Sequence, residues 1–314
     1  MTSDLPLRIG TRGSPLALVQ AEMVRDRLAP SGPEGRAGIR PRDAEIVVIK
    51  TTGDVLLDRA LSEAGGKGLF TKEIDEALLG GRIDLAVHSL KDVPTWLPDG
   101  IVLAAVLERE DPRDAFISWK AKRLFDLPAG ARIGTASLRR QAQILHRRPD
   151  LAVTLLRGNV ETRLRKLDEG AVDATLLALA GLKRLGRADV ATAILDADDM
   201  LPAPGQGAVA VACRAGDDRA RERLRALDHP ASRDAVAAER AMLEVLDGSC
   251  RTPIAALARV EGGRLALKGL VAKPDGSRVV SGAREGASSD ADRLGRDLGE
   301  ALRAEAGPGF LPGY

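Results

Sequence analysis

Short apolar runs alternate with amphipathic ones from the start of the chain. Leu7 to Gly10 has the pattern of a buried strand and runs into Thr11-Arg12-Gly13-Ser14-Pro15. Ser14 suits a helix N-cap with Pro15 at the first helical position, and apolar residues then recur at helical spacing from Leu16 to Leu28. A Pro/Gly-rich stretch, Ala29 to Pro41, leads to a second strand pattern, Glu45 to Lys50, which ends in Thr51-Thr52-Gly53-Asp54. Residues 55–70 hold Glu63-Ala64-Gly65-Gly66-Lys67-Gly68, too rich in glycine for a regular element and expected to form a mobile loop. Thr71 opens a short helix that Gly80-Gly81 ends. The apolar run from Ile83 reads as a buried strand whose carboxyl end releases Ser89, Lys91 and Asp92 before Pro94 forces an extended exit. Strand and helix patterns joined by short links predict an α/β fold built on doubly wound parallel sheets.

The pattern then restarts. Arg8-Ile9-Gly10-Thr11 recurs letter for letter as Arg132-Ile133-Gly134-Thr135. Val47 to Gly53 has a counterpart in Val153 to Gly158, and the Ile83 strand has one in Val172 to Leu182, which ends at Lys183. Three matches in one order predict two similar lobes. Leu107 to Arg113 reads as a polar crossing between them, and Pro202 to Gly207 introduces an apolar strand, Ala208 to Cys213, that returns the chain to the first lobe. Two crossings make a hinge over a central cleft. The rest of the chain changes character. It predicts a helix at Arg233 to Leu246, strands near Ile254 to Val260, Arg264 to Val271 and Arg278 to Gly282, and a last helix at Ser289 to Ala304. That is a small α+β third domain. The expected divisions are 1–107 with 208–228, 108–207, and 229–314.

Composition narrows the class. A chain of 314 residues can hold two or three domains, and a net charge of +2 with 29% charged residues describes an ordinary soluble protein. Aromatic residues at 2% leave no stacking platform for single-stranded nucleic acid. No apolar run approaches the ~20 residues of a membrane span, and Met1 to Pro6 lacks the basic and apolar regions of a signal peptide. A cytoplasmic protein is expected. Two cysteines, Cys213 and Cys250, cannot make a disulfide framework.

Arginine placement carries the strongest chemical signal. Between residues 132 and 166, Arg132, Arg139, Arg140, Arg147, Arg148, Arg157, Arg163, Arg165 and Lys166 stand against Asp150 and Glu161. If Ser137 caps the helix that follows, Arg139 and Arg140 occupy its first turn, where the helix dipole disfavours cations. An anion drawn by helix N–H groups and guanidinium forks together resolves that conflict. Arg157 repeats the theme at a strand end, Arg163 follows Asn159 at another helix start, and Arg12 with Ser14 offers the same kit in the first lobe. Arginine rather than lysine suggests carboxylates or phosphates gripped bidentately. A solvated basic face is the competing reading. A nucleic-acid groove is another, but it lacks aromatic residues and a strong net charge. Asp92, beside Lys91 at a strand's carboxyl end, lies where open α/β sheets bind ligands, although a solvated Lys-Asp pair fits the same letters. Cys213 falls in an apolar strand and reads as core. Cys250 follows Gly248-Ser249 and precedes Arg251, the setting of reactive thiols, yet an inert loop thiol fits that spacing as well as a nucleophile does. His88, His146 and His229 are scattered, with no metal-ligand spacing, G-x-S-x-G or P-loop in the chain.

The segment Glu239 to Pro253, E-R-A-M-L-E-V-L-D-G-S-C-R-T-P, resembles the cofactor-attachment signature of the porphobilinogen deaminase (hydroxymethylbilane synthase) family. R-I-G-T-R-G-S-P-L-A-L, G-G-K-G-L-F, A-V-H-S-L-K-D-V-P, E-R-E-D-P-R-D-A-F, G-T-A-S-L-R-R, L-R-G-N-V, A-G-L-K-R-L-G and P-G-Q-G-A extend the resemblance, in the family's order, over nearly the whole chain. The resemblance implies a transferase of tetrapyrrole (heme) synthesis with a dipyrromethane cofactor bound through a thioether to Cys250. Four porphobilinogen molecules would be added head to tail with loss of ammonia, and water would release hydroxymethylbilane. Lys91, Ser137, Arg139, Arg140 and Arg163 would hold the cofactor. Arg12, Ser14, Lys67, Ser89, Thr135, Arg157 and Arg184 would bind substrate, and Asp92 would be the catalytic group, facing the pyrrole N–H. The two-lobed cleft would be periplasmic-binding-protein-like. The implied partner is a small molecule, with no metal, nucleic acid or membrane, and the implied state is a monomer. Acetate and propionate groups on every porphobilinogen would give the arginine excess its work. Two positions depart from the family pattern: Glu63 stands where some relatives have lysine, and Ala136 where a serine is frequent. A two-lobed anion-binding protein without catalysis is the rival reading, but it gives Cys250, Asp92 and the third domain no role.

Overall fold

A computed structural model describes residues 6–28, 44–55, 68–248 and 252–310. The Ala29 to Pro41 stretch, most of the glycine-rich loop with Lys67 and Glu63, and Cys250 with its neighbours Ser249 and Arg251 lie outside the described residues. The chain starts with β1 (Leu7–Thr11), α1 (Pro15–Leu28), β2 (Ala44–Val48), the short α2 (Thr52–Val55), α3 (Lys72–Leu79), β3 (Leu85–Ser89) and β4 (Ile101–Val106). It crosses to β5 (Asp114–Ile117) and continues through β6 (Arg132–Gly134), α4 (Leu138–Arg147), β7 (Ala152–Thr154), α5 (Val160–Asp168), β8 (Ala174–Ala178), α6 (Leu179–Arg184) and β9 (Ala193–Ile194). A second crossing leads to β10 (Val209–Arg214) and α7 (Asp218–Leu224). The last part is α8 (Pro230–Val245), β11 (Ile254–Glu261), β12 (Arg264–Ala272), β13 (Val279–Ala287) and α9 (Ala291–Ala306).

These strands form three sheets, ordered β2-β1-β3-β10-β4, β7-β6-β8-β5-β9 and β11-β12-β13. The first two share one plan, the expected pair of similar lobes. In each, three strands run parallel, and the fourth, β10 or β5, is antiparallel. The expectation of wholly parallel sheets is therefore corrected. A strand reached over a crossing enters at the carboxyl ends of its parallel neighbours and must run against them. Three boundaries also differ from the sequence pattern. β7 is shorter than Val153 to Gly158, the Val172 to Leu182 run divides into β8 and α6, and β13 continues past Gly282 because its ladder with β12 holds to Ala287.

The repeated letters do repeated work. Asp84 accepts from the Arg8 backbone N–H at 3.0 Å and returns its own N–H to the Arg8 carbonyl at 2.8 Å. Asp173 does the same with Arg132, at 2.7 and 2.8 Å. A Cβ on Gly10 would press on Ile83 Cδ1 at 2.3 Å, and one on Gly134 would meet Leu156 at 2.6 Å and Val172 at 3.0 Å. Both glycines let the strand that feeds the cleft lie against its core.

The third domain touches both lobes. Along β11, Ile254, Ala256 and Ala258 join the core under α8 and α9, while Ala255 and Leu257 join Ala142 and Leu201 of the second lobe, the period of two that a strand imposes. On the other side, Val236 of α8 packs against Leu90, Val93 and Val106 of the first lobe. All three units meet at Glu239, which is fully buried in α8. Arg109 of the first crossing grips its carboxylate bidentately at 2.6 and 3.1 Å. The backbone N–H of Gly205 in the second crossing and that of Ala258 in β11 each donate to it at 2.7 Å. Glu239→Ala would leave the nearly buried Arg109 charge and two backbone donors without partners. A loss of about 3–5 kcal/mol in denaturant unfolding is expected. A loss within 0.5 kcal/mol, the scale of a surface substitution, would mean that water replaces the carboxylate without cost.

Candidate active site

The segments that follow β1, β2, β3, β6 and β7 line one cleft of about 1030 Å³ between the lobes. Helix starts are placed there by their caps. Ser14 Oγ accepts from Ala17 N–H at 3.4 Å, Ser137 Oγ from Arg140 N–H at 3.4 Å, and Asn159 Oδ1 from Thr162 N–H at 2.9 Å. Each cap lines the cleft, and backbone N–H groups at helix starts favour anions.

In the first lobe, the Arg12 guanidinium lies 4.2 Å from the centre of the Phe70 ring and donates from Nε to Asp54 at 3.1 Å. Ser89 is held by buried Gln20, whose Nε2 donates to its hydroxyl at 2.8 Å. The tight turn Leu90–Asp92 then brings Lys91 and Asp92 to the cleft floor. Buried Leu90 anchors the turn, its N–H donating to the Ala208 carbonyl at 3.0 Å. Arg240 of α8 clamps the exit by donating to the carbonyls of Val93, Pro94 and Thr95 at 3.1, 2.7 and 3.1 Å. Among the described residues, neither Lys91 nor Asp92 has a hydrogen bond or ion pair with another side chain. Burial pulls the Lys91 ammonium down to about 8; Asp92 opposes that shift, and Arg140 and Arg139 add to it.

In the second lobe, Arg139 and Arg140 line the cleft from the first turn of α4, but the anion they need is the protein's own. Asp114, fully buried at the start of β5, accepts from Arg139 Nη2 at 2.8 Å and from Arg140 Nη2 and Nε at 2.8 and 3.2 Å. Burial pushes the Asp114 carboxyl up, but the two guanidinium charges outweigh it and hold the group well below the usual carboxylate range. Gln206 of the second crossing completes the arrangement, donating to Asp114 at 2.7 Å. Arg163 is different. It donates from Nε to the Gly158 carbonyl at 2.9 Å and, among the described residues, forms no ion pair with a carboxylate. Burial, and then the charges of Arg140 and Arg157, lower it to about 10.

Arg12, Ser14, Ser89, Lys91, Asp92, Ser137, Arg139, Arg140, Arg157 and Arg163 therefore come together at one cleft. Thr135 and Arg184 do not line it. Thr135 is buried and accepts from the Ser137 N–H at 3.1 Å, while Arg184 donates to the Gly207 carbonyl at 2.7 Å, tying α6 to the second crossing. Leu243, Thr252 and Ile254, on either side of residues 249–251, line the cleft. Asp247 takes a φ of 44°, and a Cβ on Gly248 would strike Leu243 and Ile254 at 2.3 and 2.5 Å, which fixes the turn out of α8. Sequence reasoning missed Asp54, Phe70, Asp114, Gln206 and Glu239 as site or support residues. Asp114 stands in E-R-E-D-P-R-D, whose polarity suggests solvent, and only the fold shows it buried between two arginines. The donor set suits a ligand with several carboxylates. Among the described residues, Lys91 and Arg163 form no ion pair with a carboxylate, and Arg139 Nε is buried with no hydrogen-bond partner. Among the described residues, no three His, Cys, Asp or Glu side chains are grouped to hold a metal ion.

Fold and site define a two-lobed protein whose cleft is lined by cations, with a carboxylate at its floor. Residues 7–222 match the family described as "Porphobilinogen deaminase, dipyromethane cofactor binding domain", and residues 234–304 match "Porphobilinogen deaminase, C-terminal domain". The chain belongs to the porphobilinogen deaminase family. It is 57% identical over 310 residues to the chloroplastic porphobilinogen deaminase of Oryza sativa subsp. japonica, covering 97% of this chain and 85% of that one. It is 56% identical over 309 residues to porphobilinogen deaminase of Nitrobacter winogradskyi, covering 98% and 96%. Among solved structures, the methionine-binding protein MetQ aligns over 72% of this chain and 89% of its own, at 14% identity and a TM-score of 0.44.

The Lys91 shift gives a pH test. Its folded-state value lies below the ordinary 10.5, so the charge that attracts carboxylates is present below about 8 and is lost as pH rises through that value. Succinate binding, followed by calorimetry, should weaken on that alkaline limb. Lys91→Arg should keep its affinity to higher pH, and the same limb in both proteins would remove Lys91 from carboxylate binding.

Proposed function

We propose that this cleft builds a linear tetrapyrrole. As a member of its family, the enzyme condenses four porphobilinogen molecules head to tail onto a dipyrromethane primer, releases ammonia at each addition, and frees hydroxymethylbilane with water. The observation that carries this reading is the pair of desolvated cations, Lys91 and Arg163, which among the described residues form no ion pair and share the cleft with Asp92, whose charge acts on both. Dipyrromethane, when bound, supplies the pyrrole carbon to which the first unit is joined. Cys250 is the proposed thioether anchor; the cleft lining by Leu243, Thr252 and Ile254 on both sides of its segment supports that choice. Lys91, Ser137, Arg139, Arg140 and Arg163 would hold the primer. Arg12, Ser14, Lys67, Ser89 and Arg157 would receive substrate, with Thr135 supporting Ser137 and Arg184 supporting the second crossing beside them. The three sheets support a division into 1–107 with 208–228, 108–207, and the cofactor-attachment domain 229–314. A cytoplasmic monomer completes the proposal. Among the described residues, no helix is long and apolar enough to cross a membrane.

Asp92 has the place and charge for the chemical step. Loss of ammonia from porphobilinogen leaves a methylene-pyrrole cation whose charge is shared with the ring nitrogen. A fixed carboxylate beside that nitrogen interacts more strongly with the cation than with the neutral substrate, which lowers the barrier. It can also accept the pyrrole N–H and help carry away the proton as each carbon–carbon bond forms. The Leu90–Asp92 turn and the Arg240 clamp hold it still while the substrate changes charge.

Intact mass of the purified protein tests the primer. An excess matching two pyrrole units is expected, absent from a folded Cys250→Ser and retained by Cys213→Ser. The bare polypeptide mass in the wild type would favour a binding protein without catalysis. Asp92→Asn keeps the shape but removes the charge. It should still bind pyrroles while turnover falls by about two to four orders of magnitude, and Asp92→Glu should retain more. Near-normal turnover in Asp92→Asn would assign the electrostatic role to another group.

A further inference from the structure

Three cations of the cleft take no part in the assignments above. Lys50 follows β2 in the first lobe, and Arg165 and Lys166 lie in the last turn of α5 in the second; all three are lining residues. Lys50 and Arg165 are exposed, more so than half-buried Lys91 and Arg163, and Lys166 is half-buried like them. Among the described residues, none of the three has an acidic partner or a side-chain hydrogen bond. Acids are available nearby but are committed elsewhere. Glu161, at the start of α5, pairs with Arg187 at 2.8 Å, and Asp54 engages Arg12. Cations at a helix carboxyl end complement its dipole, which would account for Arg165 and Lys166 alone. It does not account for Lys50, which lies outside any helix on the opposite lobe.

The proposed reaction leaves a charge problem that these residues can solve. Each unit added brings two carboxylates, while Arg139 and Arg140 are largely spent on Asp114 and Arg12 is shared with Asp54. The inner cations are too few for a chain that grows by four units. On α5, Leu164 and Leu167 face the core, and Arg163 and Lys166, three residues apart, share the cleft face. That spacing is a rise of about 4.5 Å along the helix. We propose that Lys50, Arg165 and Lys166 form an outer subsite that takes up the carboxylates of the growing polypyrrole as it lengthens. This inference rests on the tetrapyrrole-building reading.

The test is a full-length, primer-loaded protein carrying Lys50→Gln, Arg165→Gln and Lys166→Gln together. Enzyme and porphobilinogen are mixed, quenched at intervals, and examined by intact mass. The wild type should show a ladder of successive pyrrole additions. In the triple variant the first addition should keep its wild-type rate. Later additions should slow about tenfold, the loss expected for three exposed charge contacts, so that a partly extended species accumulates. Melting of the isolated species is a second reading. The last two units should raise the melting temperature of the wild type and not that of the variant. A wild-type ladder and wild-type melting increments in the variant would overturn the proposal and leave the cations as dipole partners. Loss of the first addition together with the rest would overturn it in favour of substrate capture. A wild type with no ladder at all would overturn the tetrapyrrole reading itself.

Discussion

One buried carboxylate sets how the three units of this protein sit on each other. Glu239 accepts from both crossings and from the first strand of the third domain. From it a chain of contacts runs to the cleft. Arg109 Nε donates to the Gln206 carbonyl at 2.8 Å, Gln206 donates to Asp114 at 2.7 Å, and Asp114 holds Arg139 and Arg140. Buried ion pairs are weak sources of stability compared with apolar packing, because desolvation offsets most of their attraction. Their value here is geometric. A carboxylate with four donors aimed at it accepts one arrangement of the crossings and penalises others. The guanidinium groups over the cleft inherit that definition from a residue in another domain.

The distribution of paired and unpaired charge separates scaffold from site. Over much of the surface, arginines are matched with nearby acids: Arg148 with Asp150, Arg113 with Asp111, Arg123 with Asp126. In the cleft, that matching stops at Lys91 and Arg163, where burial already disfavours the charged forms. Leaving two desolvated cations without carboxylates costs folding free energy. A ligand carrying several carboxylates would recover it on binding. Asp92 offsets part of that cost, since its carboxylate charge acts on both cations.

The sequence made the lobes legible because the repeat is physical. Arg8 and Arg132 clip Asp84 and Asp173 in the same way, so the four-letter match reports a shared strand pairing. Helix starts at Ser14, Ser137 and Asn159 were equally legible, since capping is local. The strand directions were not. Hydrophobic pattern cannot show that β5 and β10 arrive over the crossings and run against their neighbours. Asp114 and Glu239 were hidden by their letters, for carboxylates in polar stretches suggest solvent until the fold buries them. The arginine argument called for an anion at the first turn of α4 and read it as a ligand's carboxylate or phosphate; Asp114, far from it in sequence, takes that place.

The duplication also explains why the cleft is chemically lopsided. Eight residues after Asp84 stands Asp92, and eight after Asp173 stands Gly181, and both line the cleft. In the first lobe the segment leaving the central strand is a tight turn whose Lys91 and Asp92 side chains, among the described residues, form no hydrogen bond or ion pair. In the second, the corresponding segment is α6, whose cations turn to the crossings: Lys183 pairs with Glu110 at 2.7 Å, and Arg184 donates to Gly207. One copy of the scaffold position carries Asp92, the proposed reacting carboxylate, and the other ties α6 to the crossings. A second acid opposite Asp92 would repel the first and compete for the arginines meant for ligand. A Cβ on Gly181 would come within 3.4 Å of Leu16 Cδ2, so in the second copy this position brings α6 against α1 of the first lobe instead of offering a charge.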